Sequence, residues 1–464
     1  MESQEQSERE TCRVIVFGRD GTDVLLKSTE AGFVFPSVAI PTWERLGDNL
    51  TAAVRRDWGC DAVCLFTPNN SSQDGNPNGD RYEVMECWRD QRIGGTDWKP
   101  IRSLTTDSFQ NAAEFRTFDQ CLHELDEYER HPSSPFAGRG WLTRLREWTA
   151  AVVCPLGFEL TGPLHQYNAS PAFNLIRFET TGPAVWFKAV GEPNLREFPI
   201  TLKLAERFSR FIPEILGTKP EWNGWLSREV DGQKLGETKG TTSWKQAATE
   251  LARLQIESIS ESQAILQAGA HDLEAKRLLT AVDPFFDLVA RLMEEQPKVP
   301  PAILSRDELS LLKLRIEDSL TLLEDLRIPS TLGHLDLNPG NVIVSDQGCI
   351  LLDWAEAYVG LPFFSIEYLL QHFRREFGAN TAFESQLVEA YKAPWRHLLP
   401  DDLIREALTL APLAAVFAYA AGIGVWKDEE RLRDPKIGAY FRGLARRMNR
   451  EAIQFIERRS TCLS

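Results

Sequence analysis

The chain has 464 residues, about three times the length of a typical domain, so two or three compact units are expected. Aliphatic and aromatic residues make up 43% and charged residues 26%, which is ample for a large core and excludes disorder, collagen and a small disulfide scaffold as descriptions of the whole. With 52 basic against 67 acidic side chains, the net charge is -15, and the absence of a long lysine/arginine run argues against a sequence-independent grip on nucleic acid.

The polar, acidic opening MESQEQSERE lacks the apolar core of a secretory signal, and a cytoplasmic protein is expected. Val14–Phe17, the turn Gly18-Arg19-Asp20-Gly21 and Val24–Leu26 read as a hairpin, because glycine accepts positive φ. A helix is expected over Asp48–Trp58 and a strand over Tyr82–Trp88, so that residues 1–130 form a small α/β domain. Cys60 and Cys64 are the closest of eight scattered cysteines, with no CxxC or Cys/His spacing, and reduced buried thiols are expected. Arg130-His131-Pro132-Ser133-Ser134-Pro135, running on through Gly138 and Gly140, reads as a linker covering 131–149. Strands follow at Phe173–Phe178, Ala184–Val190 and Trp225–Val230. Between them, Leu195–Phe211 is an amphipathic helix with Phe198, Leu202, Ala205 and Phe208 on one face. Helices dominate from Ser243: Trp244–Ile256, His271–Glu295, Arg306–Leu326, and several after Ser365. Ala407–Trp426 carries no charge, but Pro412, Gly422 and Gly424 suit a buried helix better than a membrane span.

One interruption in the helical half carries the chemistry. Gly333-His334-Leu335-Asp336-Leu337-Asn338-Pro339-Gly340-Asn341 is a polar loop feeding an apolar hairpin, Val342–Val344 and Cys349–Leu352, that ends at Asp353-Trp354. Asp336, Asn341 and Asp353 are hard oxygen donors, suited to Mg²⁺ and unsuited to zinc. Phosphoryl transfer needs such parts: a carboxylate at the acceptor hydroxyl, and an Asn with an Asp holding metal against the β- and γ-phosphates.

The loop resembles the HxDxxxxN and DW pattern of the aminoglycoside phosphotransferase and choline kinase superfamily. The resemblance spans roughly residues 150–460 and implies an α+β, bilobal protein-kinase-like fold, with a nucleotide-binding lobe over 150–232 and a helical lobe over 233–464. It implies ATP, with GTP as the alternative, and Mg²⁺ as cofactors. Asp336 would be the catalytic base, Asn341 and Asp353 the metal ligands, and His334 the residue that orients the loop. Lys188, in the apolar strand Trp186–Val190, would reach the nucleotide phosphates and pair with Glu197. The competitor Glu206 lies nine residues further on, half a turn away at ~100° per residue. Glu229 and Val230 would belong to the hinge whose backbone meets the adenine, and Ser170 to the loop over the phosphates. That loop, His165–Pro171, has no glycine, Gln255 stands where the family has histidine, and Ser365 where it has a further aspartate.

The first domain resembles a Nudix module that has lost its chemistry: Phe33–Pro36 and Ala52–Gly59 trace that family's box, but Arg56 stands where a metal-binding glutamate would be needed. A docking or dimerising role is expected for it. The leading function is therefore an ATP-dependent O-phosphotransferase acting on a small hydroxylated molecule (aminoglycoside, amino alcohol or sugar-like), with neither a nucleic-acid nor a membrane partner. The alternatives are an idle kinase-like nucleotide-binding module and a Nudix-type hydrolase. A cationic acceptor is mildly favoured, with Glu356 lining its pocket and Glu367, Asp401 and Asp402 nearby.

Overall fold

The computed structural model describes residues 9–41, 46–68, 81–90, 95–130, 135–170, 172–378, 381–422 and 424–462. The chain is an α+β protein of two compact units, one made of residues 1–198 and 214–229, the other of 199–213 and 230–464.

The first unit opens with seven strands, β1 (Arg9–Phe17), β2 (Asp23–Thr29), β3 (Gly32–Val34), β4 (Ser37–Pro41), β5 (Cys60–Phe66), β6 (Arg81–Asp90) and β7 (Thr96–Pro100), in one sheet. The β1–β2 hairpin pairs Phe17 with Val24, as the turn chemistry predicts. Long-range pairing then sets β1 parallel to β6, from Cys12↔Arg81 to Phe17↔Glu86. Helix α1 (Leu46–Trp58) follows β4, and α2 (Ala112–Arg130) lays Phe118, Cys121 and Leu125 into the core.

Residues 131–134 of the expected linker lie outside the described residues, but the remainder is not a tether. Helix α3 (Trp141–Val153) buries Trp141, Leu142 and Leu145 completely, at roughly 1.5–3 kcal/mol for each such side chain. Trp141 lies 6.1 Å from Phe187 and 6.0 Å from Trp222, ring to ring, so this helix fills the space beside a second sheet. That sheet is β8 (Leu160–Ser170), β9 (Phe173–Thr180), β10 (Val185–Val190), β11 (Ile215–Lys219) and β12 (Gly224–Arg228), in the order β11-β12-β10-β9-β8. Its edge strand is clamped to the first sheet. Gln166 is fully buried, accepts from Cys64 N (2.7 Å) and donates to Cys64 O (3.0 Å), while Arg55 donates to Leu164 O (3.2 Å). The N-terminal domain and the strands after it thus share one core.

Helix α4 (Glu197–Arg207) buries Glu197, Ile200, Leu204 and, just beyond its end, Phe208. This stripe replaces the expected Phe198-Leu202-Ala205 face; Phe198 is only partly buried and lies 6.2 Å from the Trp225 ring. The second unit continues with β13 (Gln233–Lys234), α5 (Thr242–Glu257), α6 (Ser262–Gln267), β14 (His271–Leu273), α7 (Ala275–Glu294), α8 (Arg306–Asp325) and β15 (Thr331–His334). Next come β16 (Val342–Ser345), β17 (Gly348–Leu351), β18 (Ala357–Gly360), α9 (Phe363–Phe377), α10 (Thr381–Trp395), α11 (Asp401–Gly422), α12 (Glu429–Leu432) and α13 (Pro435–Cys462). His271–Leu273, expected as the start of a helix, instead runs parallel to β18. Helix α11 is long and apolar enough to cross a membrane by length and composition alone, but 61% of its most apolar window is buried within the fold.

Glu86 ties α3 to the first sheet. It is 1% exposed, accepts from Leu142 N at 3.4 Å, and burial pushes its carboxyl up to about 7. A raised folded-state pKa means the stability it contributes is complete below its ordinary value of 4.5 and is lost as pH rises through about 7. Glu86→Gln should therefore match wild type near pH 4.5 and exceed it by up to about 3 kcal/mol at pH 8. Urea denaturation of both proteins across that range checks the difference.

Candidate active site

In the second unit, β15 delivers a loop whose geometry is fixed by one buried ring. The His334 imidazole is fully buried. Its Nδ1 accepts from Asp336 N (3.1 Å), which requires Nε2 to carry the proton and donate to Leu352 O (2.9 Å). It therefore joins the loop to the end of β17, and its face lies 4.8 Å from the Trp354 ring. The close approach of β18 explains Gly333, where a Cβ would overlap the Tyr358 ring.

The Asp336 carboxylate accepts from Asn338 Nδ2 (3.1 Å), Tyr368 OH (3.2 Å) and Asn341 Nδ2 (3.3 Å). Burial and the nearby Asp336 charge raise the Tyr368 phenol well above its ordinary value, so it stays a donor. Asn338 also caps the turn, accepting from Gly340 N (2.9 Å), and Asn341 O accepts from Leu352 N (2.9 Å). That bond sets Asn341 beside the strand end carrying Asp353, which adopts a left-handed φ of 64°. A non-glycine residue in that region is held by its surroundings at a cost of order 1–3 kcal/mol, a pattern that clusters at functional sites.

Among the described residues no group of three His, Cys, Asp or Glu side chains is arranged to hold a metal. The loop instead offers the oxygens of Asn341 and Asp353. These are hard oxygen donors, of the kind that suits Mg²⁺ and not zinc.

Glu356 lies three residues on. It is pushed up to about 7 by burial first and then by the charges of Asp336 and Asp353, and its Oε2 is buried without a hydrogen-bond partner. The other acids expected beside it are committed elsewhere: Glu367 is buried against Arg374 (2.9 Å), and Asp401 pairs with Lys392 (3.1 Å) and Arg396 (2.8 Å). Asp402 is exposed in the same helical turn.

In the first unit, Lys188 Nζ lies 2.5 Å from Glu197 Oε1, with the lysine flanked by the Phe173 and Trp225 rings at 5.7 and 5.8 Å. Glu206 is exposed and pairs with Lys203 (2.8 Å). Ser170 closes the β8–β9 turn, accepting from Phe173 N (3.3 Å); Pro171 lies outside the described residues. Glu229 makes a two-armed pair with Arg177 (2.8 and 2.9 Å), and its own N–H is used by Ala184 O (2.9 Å), so this amide is committed within the sheet. The boundary between the two units falls between Glu229 and Val230.

Residues 238–400, which include the His334 loop, match the phosphotransferase enzyme family. The match covers about a third of the chain and is a likeness of this segment to that family. No curated protein matches the chain. Among solved structures, a choline kinase from Streptococcus pneumoniae is 15% identical over 66% of this chain and 99% of its own, with a TM-score of 0.43. A macrolide 2'-phosphotransferase from Brachybacterium faecium is 18% identical over 65% and 96%, with a TM-score of 0.42. A choline/ethanolamine kinase family protein from Mesorhizobium loti is 14% identical over 68% and 95%, with a TM-score of 0.43. The family match begins at residue 238 and does not reach the N-terminal sheet; on α1, Arg56 is exposed and paired with Asp57 (2.6 Å).

Tyr368 escaped the sequence reading, and the contacts of Ser365 and Gln255 could not be read from it. Tyr368 braces Asp336 from α9. Ser365 Oγ accepts from His334 N (2.8 Å) and meets Tyr358 OH (3.0 Å), so the hydroxyl stands where a further aspartate was looked for. Gln255, buried, donates to Pro362 O (2.7 Å) and accepts from Tyr391 OH (2.7 Å), tying α5 to the helices that frame the loop. Ser365→Ala leaves the buried His334 N–H without its acceptor. It should destabilise the protein by about 1–3 kcal/mol, measured by urea denaturation.

Proposed function

We propose that the chain is an ATP-dependent O-phosphotransferase that moves the γ-phosphoryl group to a hydroxyl of a small molecule. The observation that carries this reading is the His334-held loop, which presents Asp336 next to Asn341 and Asp353 within the segment that matches the phosphotransferase family. GTP is the alternative donor.

Each residue then has a task. Asp336, braced on both oxygens, accepts the proton of the acceptor hydroxyl as the oxygen attacks phosphorus. Asn341 and Asp353 would hold Mg²⁺, which neutralises the β- and γ-phosphate charge when bound. Lys188 is held by Glu197 and serves the α- and β-phosphates. His334 moves no proton: both its nitrogens are engaged, and its work is to hold Asp336 and the end of β17 in register. Among aminoglycoside, amino alcohol and sugar-like acceptors, a cationic one is favoured, because an ammonium would supply the buried Glu356 oxygen with the partner it lacks and hold that carboxyl ionised.

A second reading, a nucleotide-binding module without turnover, is favoured by the glycine-free β8–β9 turn. A Nudix-type hydrolase has least support, since α1 carries Arg56 where the box needs a carboxylate.

Mg-ATP turnover with acceptor panels separates these readings. Asp353→Ala should abolish Mg-dependent transfer, and wild-type kcat in that variant would remove the metal assignment. Asp336→Asn should keep nucleotide affinity and lower kcat by about 10² or more, the scale of a lost general base. Lost affinity with preserved kcat would instead make Asp336 a nucleotide-holding residue. Glu356→Gln should weaken kcat/KM for amine acceptors while sparing neutral polyols; equal effects on both would sink the cationic acceptor.

A further inference from the structure

A cleft of about 550 Å³ lies within the first unit, at the corner where the β1–β2 turn, β6, α3 and the entry to β8 meet. Arg19, Arg89 and Arg146 line it, together with Trp88, Thr143 and Phe158. The Arg146 guanidinium lies 3.8 Å from the Trp88 ring centre. Among the described residues none of the three guanidinium groups makes an ion pair or hydrogen bond. In a chain carrying 67 acidic against 52 basic side chains, three unpaired guanidiniums sharing one wall call for an explanation.

Two further groups on the same wall wait for a partner. Trp88 Nε1 and Thr143 Oγ1 are both buried with no hydrogen-bond partner. Burial and the nearby Arg19 charge lower Arg146 from its ordinary value, and the Asp61 charge only partly offsets them. Glu147 and Glu159 also line the cleft, so its charged lining is cationic by one charge. An arginine's planar fork matches phosphate oxygens two at a time, and an aromatic wall beside it suits a flat ring.

We propose that this cleft binds a small organic phosphate with a flat ring, of the nucleoside monophosphate kind. Arg19, Arg89 and Arg146 take the phosphate, and the Trp88 and Phe158 walls take the ring. The site lies entirely in the first unit and is independent of the phosphotransferase reading. It gives the N-terminal domain a ligand-sensing task in place of hydrolysis.

Hydrogen exchange of the full chain, with AMP, adenosine or inorganic phosphate as probe, tests this by location. AMP should slow exchange in segments 84–90 and 141–160, and adenosine should not. Arg19→Ser with Arg89→Ser removes two exposed, unpaired side chains, so the melting temperature should stay unchanged while the AMP midpoint weakens about tenfold or more. Arg146→Lys, which keeps the charge but loses the planar stack on Trp88, should weaken AMP without creating a buried vacancy. Absence of protection in these segments at millimolar AMP, or protection unaltered in both variants, would overturn the site. Equal protection by inorganic phosphate would overturn its ring-binding half.

Discussion

The candidate active site depends on one buried imidazole accepting a backbone hydrogen bond. Asp336 N–H pointing at His334 Nδ1 fixes the ring's tautomer, and the tautomer aims Nε2–H at Leu352 O. A single neutral side chain therefore sets the distance between the loop and the hairpin end. Asp353 follows Leu352 directly, and its left-handed backbone is tolerable because residues on either side are pinned. The pin is pinned in turn: Ser365 holds His334 N, Tyr358 holds Ser365, and Gly333 leaves room for the Tyr358 ring. A polar network this deep is stabilising only when every member is satisfied, which is why each of these residues is sensitive to small changes.

The parts legible in the sequence were those with strict local spacing. The loop stands out because three polar residues interrupt an apolar hairpin at fixed intervals, and Glu197 separates from Glu206 by helical angle alone. What stayed hidden depends on partners far along the chain. His271–Leu273 is a strand only because β18 lies alongside, and no local pattern announces that pairing. In α4 two apolar stripes compete, and the choice of Ile200 and Leu204 over Leu202 and Ala205 comes from packing. The linker reading followed the proline, serine and glycine content and passed over the Trp141, Leu142, Leu145 pattern. Glu367 looked available as a surface acid because the fold that closes Arg374 over it is tertiary.

The N-terminal sheet is more than an appendage. Through Gln166 and Arg55 it grips β8, one arm of the turn assigned to the nucleotide phosphates, and through α3 it shares a core with β10, the strand carrying Lys188. A turn without glycine gains its shape from such bracing and less from backbone freedom. A ligand bound beside α3 would act on the same framework, since Thr143 and Arg146 lie on the helix that carries Trp141.

The fate of a labelled γ-phosphoryl group in a single turnover bears most directly on the central claim. With Mg-ATP and a panel of hydroxylated amines, the account predicts label in a phosphate ester on the acceptor, appearing only when an acceptor hydroxyl is present. Label that stays with the nucleotide, or that emerges as inorganic phosphate at the same rate with or without acceptor, would contradict it.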